Sequence, residues 1–156
     1  VNPAFALAHI IDPALDAIGL NSRHARALLL GTMIVESGGV FVRQHGGGPA
    51  LGLWQMEPTT HADIFRHFLG YRGPLAHAVR ALDWTDGEQA IELVHNHWLA
   101  CALARCLYRR FPDRLPEPGD VAGQAVLWKR LYNTRLGQGT EAKYIAKVSK
   151  WNYLVG

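Results

Sequence analysis

Glu36 has the surroundings best suited to chemistry among the reactive side chains of this 156-residue chain. It closes a run in which Leu28, Leu29, Thr32, Met33 and Val35 give a helix a wide apolar surface, and Gly38-Gly39 stops that helix just beyond it. Two forces push such a carboxyl toward its protonated form. A low-dielectric site disfavours the anion, and so does the negative end of the helix dipole. A carboxyl that stays neutral near neutral pH can give its proton to the leaving oxygen as a glycosidic bond breaks. Position alone does not separate such an acid from a glutamate standing idle at a helix end, so the neighbours decide.

Other chemistries fit less well. Cys101 and Cys106 lie five apart in a segment that reads as helix, so they point apart and read as small buried apolar residues, not as a disulfide. Of the eight histidines, His95 and His97 are two apart and His61 and His67 six apart. A helical zinc pair needs a spacing of four, so neither a metal site nor a cofactor is expected. A two-carboxylate mechanism needs a second acid across the scissile bond, yet no Asp or Glu lies between Glu36 and Glu57. Glu57, ahead of Pro58, is expected to face away from any cleft. Asp63 is expected in the first turn of a helix, where it would only offset the dipole.

The elements that position Glu36 follow from caps and breakers. Asn2-Pro3 and Asp12-Pro13 each read as a cap followed by a helix-starting proline, giving two short helices over residues 3–19. Asn21 or Ser22 caps the helix that ends near Glu36. Residues 38–58 hold six of the 16 glycines and no helical period, so they read as an irregular loop or small β-hairpin. Thr59 or Thr60 caps a segment to about Leu69, and Pro74 opens another. Thr85-Asp86-Gly87-Glu88 reads as a capping box starting the longest helix, to about Phe111. After a break at Pro112, Pro116 and Pro118, Asp120 caps a helix through Tyr132 and Thr140 one through about Trp151. The expectation is a single mainly α domain over residues 1–156, with about seven to eight helices.

Charge is uneven. Residues 1–100 carry six basic and nine acidic side chains, whereas Lys129, Arg130, Arg135, Lys143, Lys147 and Lys150 face only Glu141 in residues 129–150. A basic C-terminal face suits an anionic polymer. Trp128, Tyr132, Tyr144, Trp151 and Tyr153 interleave these charges in a way that superficially suits base stacking. Their helical spacing with Leu131 and Val148 favours core packing, so no nucleic-acid partner is expected. No apolar run is long enough to span a membrane.

Three blocks carry a resemblance. Glu36-Ser37-Gly38-Gly39, then Ala50-Leu51-Gly52-Leu53-Trp54-Gln55-Met56-Glu57-Pro58-Thr59, then Tyr132-Asn133 with Thr134 and Gly137, resemble in order the signature of soluble lytic transglycosylases and goose-type lysozymes. The string Trp128-Lys129-Arg130-Leu131-Tyr132-Asn133-Thr134 is also similar to phage-encoded members of this lysozyme-like superfamily. Where the family has Ser-x-x-Gly-Ala-x-Gly-Leu, this chain has Gly48-Pro49-Ala50-Leu51-Gly52-Leu53, and Trp54 replaces a smaller apolar residue.

The resemblance implies a lysozyme-like fold that cleaves β-1,4 bonds between MurNAc and GlcNAc in peptidoglycan strands. Glu36 would act first as acid and then as base on the sugar's own 6-hydroxyl, without a second carboxylate. Muramidase-type hydrolysis is the alternative, and a wall-binding or virion structural domain without catalysis is another. Ser37 and Gln55 would lie on the substrate, Gln55 bonding a sugar or its acetamido group unless it only caps the loop. Tyr132 would bring its hydroxyl to substrate or Glu36, or else pack in the core. Asn133 would fix sugar or backbone geometry, or close a helix. Trp54 would stack on a sugar or fill the core. The implied setting is the bacterial periplasm and cell wall, reached during phage lysis or from a virion.

Overall fold

The helix that delivers Glu36 is α3 (Arg23–Glu36), seen in a computed structural model that describes residues 1–133 and 137–155. Ser22 Oγ accepts the Ala25 N–H at 3.0 Å and starts it. Every residue from Ala27 to Ile34 is buried, so α3 is enclosed on all sides by other helices. It stops where Gly38, at φ 64°, donates its N–H back to the Met33 and Ile34 carbonyls.

The neighbours of α3 are α6 (His97–Arg109), α8 (Glu141–Val148) and the N-terminal helices. Thr32 Oγ1 donates to the Leu28 carbonyl at 2.7 Å and lies 2.8 Å from the Tyr108 hydroxyl of α6. Gly31 lets α8 approach: a Cβ at that position would strike the Tyr144 hydroxyl. Asn2 caps α1 (Pro3–Ala6), which runs through a wider π-type turn, Leu7–Ile11, into α2 (Asp12–Ala17). Asp12 is therefore not a cap, contrary to expectation. Its carboxylate instead accepts from Asn21 at 3.1 Å and Arg26 at 3.2 Å. That pairing also occupies Asn21 and leaves the α3 cap to Ser22.

Residues 41–56 form an irregular loop. The hairpin reduces to two isolated bridges, Arg43 with Leu51 and Leu51 with Met56. Gly52 is needed there, since its φ is 77° and a Cβ would meet the Leu93 carbonyl at 2.6 Å.

Next comes α4 (Pro58–Asp63), capped by the backbone of Glu57 and not by Thr59 or Thr60. Pro58 takes the first helical position, where no N–H is required. Asp63 thus ends α4 instead of opening it, and its carboxylate pairs with Arg110 beyond the end of α6. A π-type turn, Ile64–Phe68, and a 3-10 turn, Leu69–Tyr71, lead to α5 (Gly73–Arg80).

The expected capping box at Thr85 fails. Asp86 and Gly87 both take left-handed φ values, 56° and 77°, which no helix start tolerates. The Thr85 hydroxyl donates to Glu92 Oε2 at 2.9 Å instead of starting a helix. Only a 3-10 turn, Ala90–Val94, precedes α6, whose cap is Asn96, accepting the Leu99 N–H at 3.0 Å. Asp120 caps α7 (Val121–Leu127) and Thr140 caps α8, as their residue types indicate. A π-type turn, Trp128–Asn133, extends α7, and a 3-10 turn, Ser149–Leu154, extends α8. The molecule is mainly α-helical, and its buried apolar side chains join in one cluster. Cys101 and Cys106 are buried within it as free thiols. Among the described residues no helix is long and apolar enough to cross a membrane.

Candidate functional site

Glu36 stands in the wall of a groove of about 650 Å³. The irregular loop lines one side through Phe41, Gln44, His45 and Gln55, and the start of α4 contributes Glu57 and Thr60. The π-type turn after α7 supplies Tyr132 and Asn133, with Gly137 and Gln138 beyond. The end of α3, the loop and the turn thus meet around one carboxyl.

The Trp128 indole N–H donates to Glu36 Oε1 at 2.8 Å, from a side chain that is itself buried. Burial is the main influence on the carboxyl, raising its pKa from 4.5 to about 7, against smaller opposing effects from Trp128 and the Lys147 ammonium. Lys147 Nζ lies 3.4 Å from the Val35 carbonyl, where a cation suits the end of α3. The other carboxyl oxygen of Glu36 has no hydrogen-bond partner among the described residues. It is free for a molecule in the groove.

Gln55 lines the groove, yet its amide nitrogen serves the loop, donating to the Gly52 carbonyl at 2.9 Å and the Phe41 carbonyl at 3.4 Å. Its amide oxygen makes no hydrogen bond among the described residues and is available to a ligand. Tyr132 also lines the groove. Its hydroxyl donates to the Trp54 carbonyl at 2.6 Å, and its ring stacks on Tyr108 at 5.3 Å. The ring is thereby fixed and the loop tied to the C-terminal half. Burial and, next, the nearby Glu36 hold the Tyr132 phenol well above its ordinary pKa, so it remains a neutral donor. Asn133 Oδ1 accepts from Lys129 Nζ at 2.7 Å, and the same ammonium reaches the Gly137 carbonyl at 2.9 Å. Thr134 of the motif and the basic Arg135 lie outside the described residues.

Three sequence expectations need correction. Trp54 offers no face to a sugar: it is fully buried, and its indole N–H donates to the Leu29 carbonyl at 3.0 Å. Core packing next to α3 is its role. Ser37 does not reach the groove either. Its buried hydroxyl donates to the Leu53 carbonyl at 2.6 Å and accepts the Gly39 N–H at 3.1 Å, pinning the loop to the end of α3. Glu57, in the extended cap position ahead of Pro58, is among the residues that line the groove and so does not lie away from it.

The sequence carries no signal that marks Phe41, Gln44, His45, Thr60 and Gln138 as lining the groove, or Trp128 as the donor to Glu36. Trp128 and Tyr132, four apart, share a helix face, and that spacing is the nearest thing to one. Nothing in the sequence shows that this face returns to Glu36. Among the described residues no group of three or more His, Cys, Asp or Glu is arranged to hold a metal. No family model matches the chain, and neither the curated proteins nor the solved structures contain a match to it.

Proposed function

We propose that this protein has a lysozyme-like fold and cleaves the β-1,4 MurNAc–GlcNAc bonds of bacterial peptidoglycan, with Glu36 as the general acid. The observation that carries this reading is a carboxyl with its pKa raised to about 7, one oxygen held by Trp128 and the other without a partner among the described residues, in the wall of a groove of about 650 Å³. Near neutrality the free oxygen carries a proton that the leaving oxygen needs. Tyr132 and Asn133 line the same groove, Asn133 held by the Lys129 ammonium, and the Gln55 amide oxygen accepts a sugar hydroxyl or acetamido N–H.

The reaction we favour is lytic transglycosylation. Glu36 gives its proton to the glycosidic oxygen as the C1–O bond breaks. The resulting carboxylate then takes the proton of the sugar's own 6-hydroxyl, whose oxygen bonds to C1 and closes a 1,6-anhydro ring. Water is not consumed. Muramidase-type hydrolysis is the second reading, and Glu57 on the groove wall favours it, as a carboxylate able to activate water. The fitting setting is the bacterial cell wall, reached during phage-driven lysis or from a virion.

The test is loss of turbidity of permeabilised bacteria treated with the protein or with Glu36→Gln. The reading expects clearing by the protein and clearing at least about a hundred-fold slower by the variant. Equal rates would remove Glu36 from the mechanism, and no clearing by either would leave a binding domain.

A further inference from the structure

A second concavity of about 570 Å³ opens between the N-terminal helices and residues 81–98, and no residue lines both it and the groove. Its rim carries Trp84, 68% exposed, Phe5, 55% exposed, and Trp98, 41% exposed. Three large aromatic faces left in water around one hollow mark an interaction site, because each forgoes the burial its size allows.

The segment bearing Trp84 is rigidly held. Glu92, 5% exposed, accepts the Trp84 backbone N–H at 2.7 Å, the Thr85 hydroxyl at 2.9 Å and the Asn96 side-chain amide at 2.6 Å. Trp98 is fixed by its own N–H, which donates to the His9 carbonyl at 3.0 Å. A buried carboxylate with three donors thus holds in place a turn whose tip is an exposed indole. Such preorganisation lowers the entropy lost when a ligand stacks there.

The geometry points to a second saccharide-binding site, in which Trp84 and Trp98 stack on pyranose rings of the glycan strand. The identity of the polymer rests on the peptidoglycan reading above. The chemistry of the hollow selects an uncharged amphipathic ligand. Among the described residues no Lys, Arg, Asp or Glu lines it, and the Val1 ammonium beside it donates to the Gly39 carbonyl, so it lacks the row of free cations a nucleic acid requires. A sugar ring offers an apolar C–H face to an indole and hydroxyls at its edge. His95 and His97 also line the hollow and are the candidate partners for those hydroxyls; His97 Nδ1 is buried without a partner among the described residues. A concave site of this volume suits one or two rings better than a flat bilayer.

The experiment sediments purified peptidoglycan with the Glu36→Gln protein, which leaves the wall uncut, and with Trp84→Ala or Trp98→Ala added to it. In parallel, Trp84→Ala in the otherwise unaltered protein is assayed on short soluble glycan strands. The inference expects each tryptophan variant to bind the wall roughly ten-fold more weakly, with cleavage of short strands within roughly two-fold of the parent. Trp84 is exposed enough that its removal leaves the fold intact. Absence of wall binding, or equal binding by all three proteins, overturns the site. Retention on phosphatidylglycerol–phosphatidylethanolamine vesicles that needs Trp84, with wall binding that does not, overturns the saccharide assignment. Failure of the unaltered protein to cut any strand would refute the Glu36 mechanism while leaving the binding comparison readable.

Discussion

Trp128 and Glu36, 92 residues apart, are joined by an indole N–H to carboxyl hydrogen bond of 2.8 Å behind the groove wall that Glu36 helps to form. The bond fixes one oxygen of the carboxyl and leaves the other without a hydrogen-bond partner among the described residues. It also tempers the burial that raises the pKa, since a donor favours the anion. Trp128→Phe removes the N–H and keeps most of the ring. The Glu36 pKa then rises further, and the alkaline limb of the pH–rate profile for wall clearing moves to higher pH. A limb that stays in place or moves down would show that the bond does not act on the acid.

The raised pKa makes a signed prediction about stability. Below pH 4.5 the Glu36 carboxyl is protonated in both folded and unfolded chains, so it adds no pH dependence. As pH rises from 4.5 to about 7 the unfolded chain ionises first, and the folded state loses stability relative to it. The loss levels off above pH 7 at roughly 3 kcal/mol. Glu36→Gln cannot ionise and escapes it. Thermal melts of the two proteins will therefore nearly coincide near pH 4 and diverge toward pH 8, with the variant the more stable. Convergence at high pH would contradict the assignment.

Glu57 separates the two chemistries. If the 6-hydroxyl of the substrate is the nucleophile, Glu57→Gln retains activity within roughly ten-fold, and mass spectrometry of released muropeptides shows anhydro ends. If Glu57 activates water, the same change costs about a hundred-fold or more. The products then carry the mass of an added water instead.

Gly31 tests how the helices hold the site. Alanine would ordinarily strengthen a helix, by about 1 kcal/mol. In α3 its methyl would meet the Tyr144 hydroxyl, on a ring that packs against Trp128 at 5.4 Å. Gly31→Ala is expected to lower stability by about 1–2 kcal/mol in denaturant unfolding and to slow wall clearing by displacing Trp128. An unchanged or raised midpoint would contradict the close approach of α3 and α8.

How much of this was legible depended on the range of the forces involved. The Asp120 and Thr140 caps are decided by a side chain and an amide three residues on, so residue type sufficed, whereas the choice of Ser22 over Asn21 turns on the carboxylates that hold Asn21. The all-round apolar surface of α3 told of its burial, and the Gly38 stop placed Glu36 at its end. Thr85-x-x-Glu88 has the same local look as a capping box. The left-handed Asp86 and the buried Glu92, seven residues from Thr85, prevail there, and neither lies within what the four-residue pattern reads. Trp54 and Trp128 were equally opaque. One gives its N–H to a backbone carbonyl and the other to the acid, and the choice is made by chain segments far away in sequence. Glu57 stands before Pro58, and the neighbours that make it part of a groove, the loop and Tyr132 with Asn133, come from elsewhere in the chain.

The most direct measurement is a carbon-13 NMR titration of the Glu36 side-chain carboxyl, identified by its absence from the Glu36→Gln spectrum. The account predicts a midpoint near pH 7, matched by the pH at which wall clearing begins to fall. A midpoint near 4.5, the value of a carboxyl in open water, would contradict it.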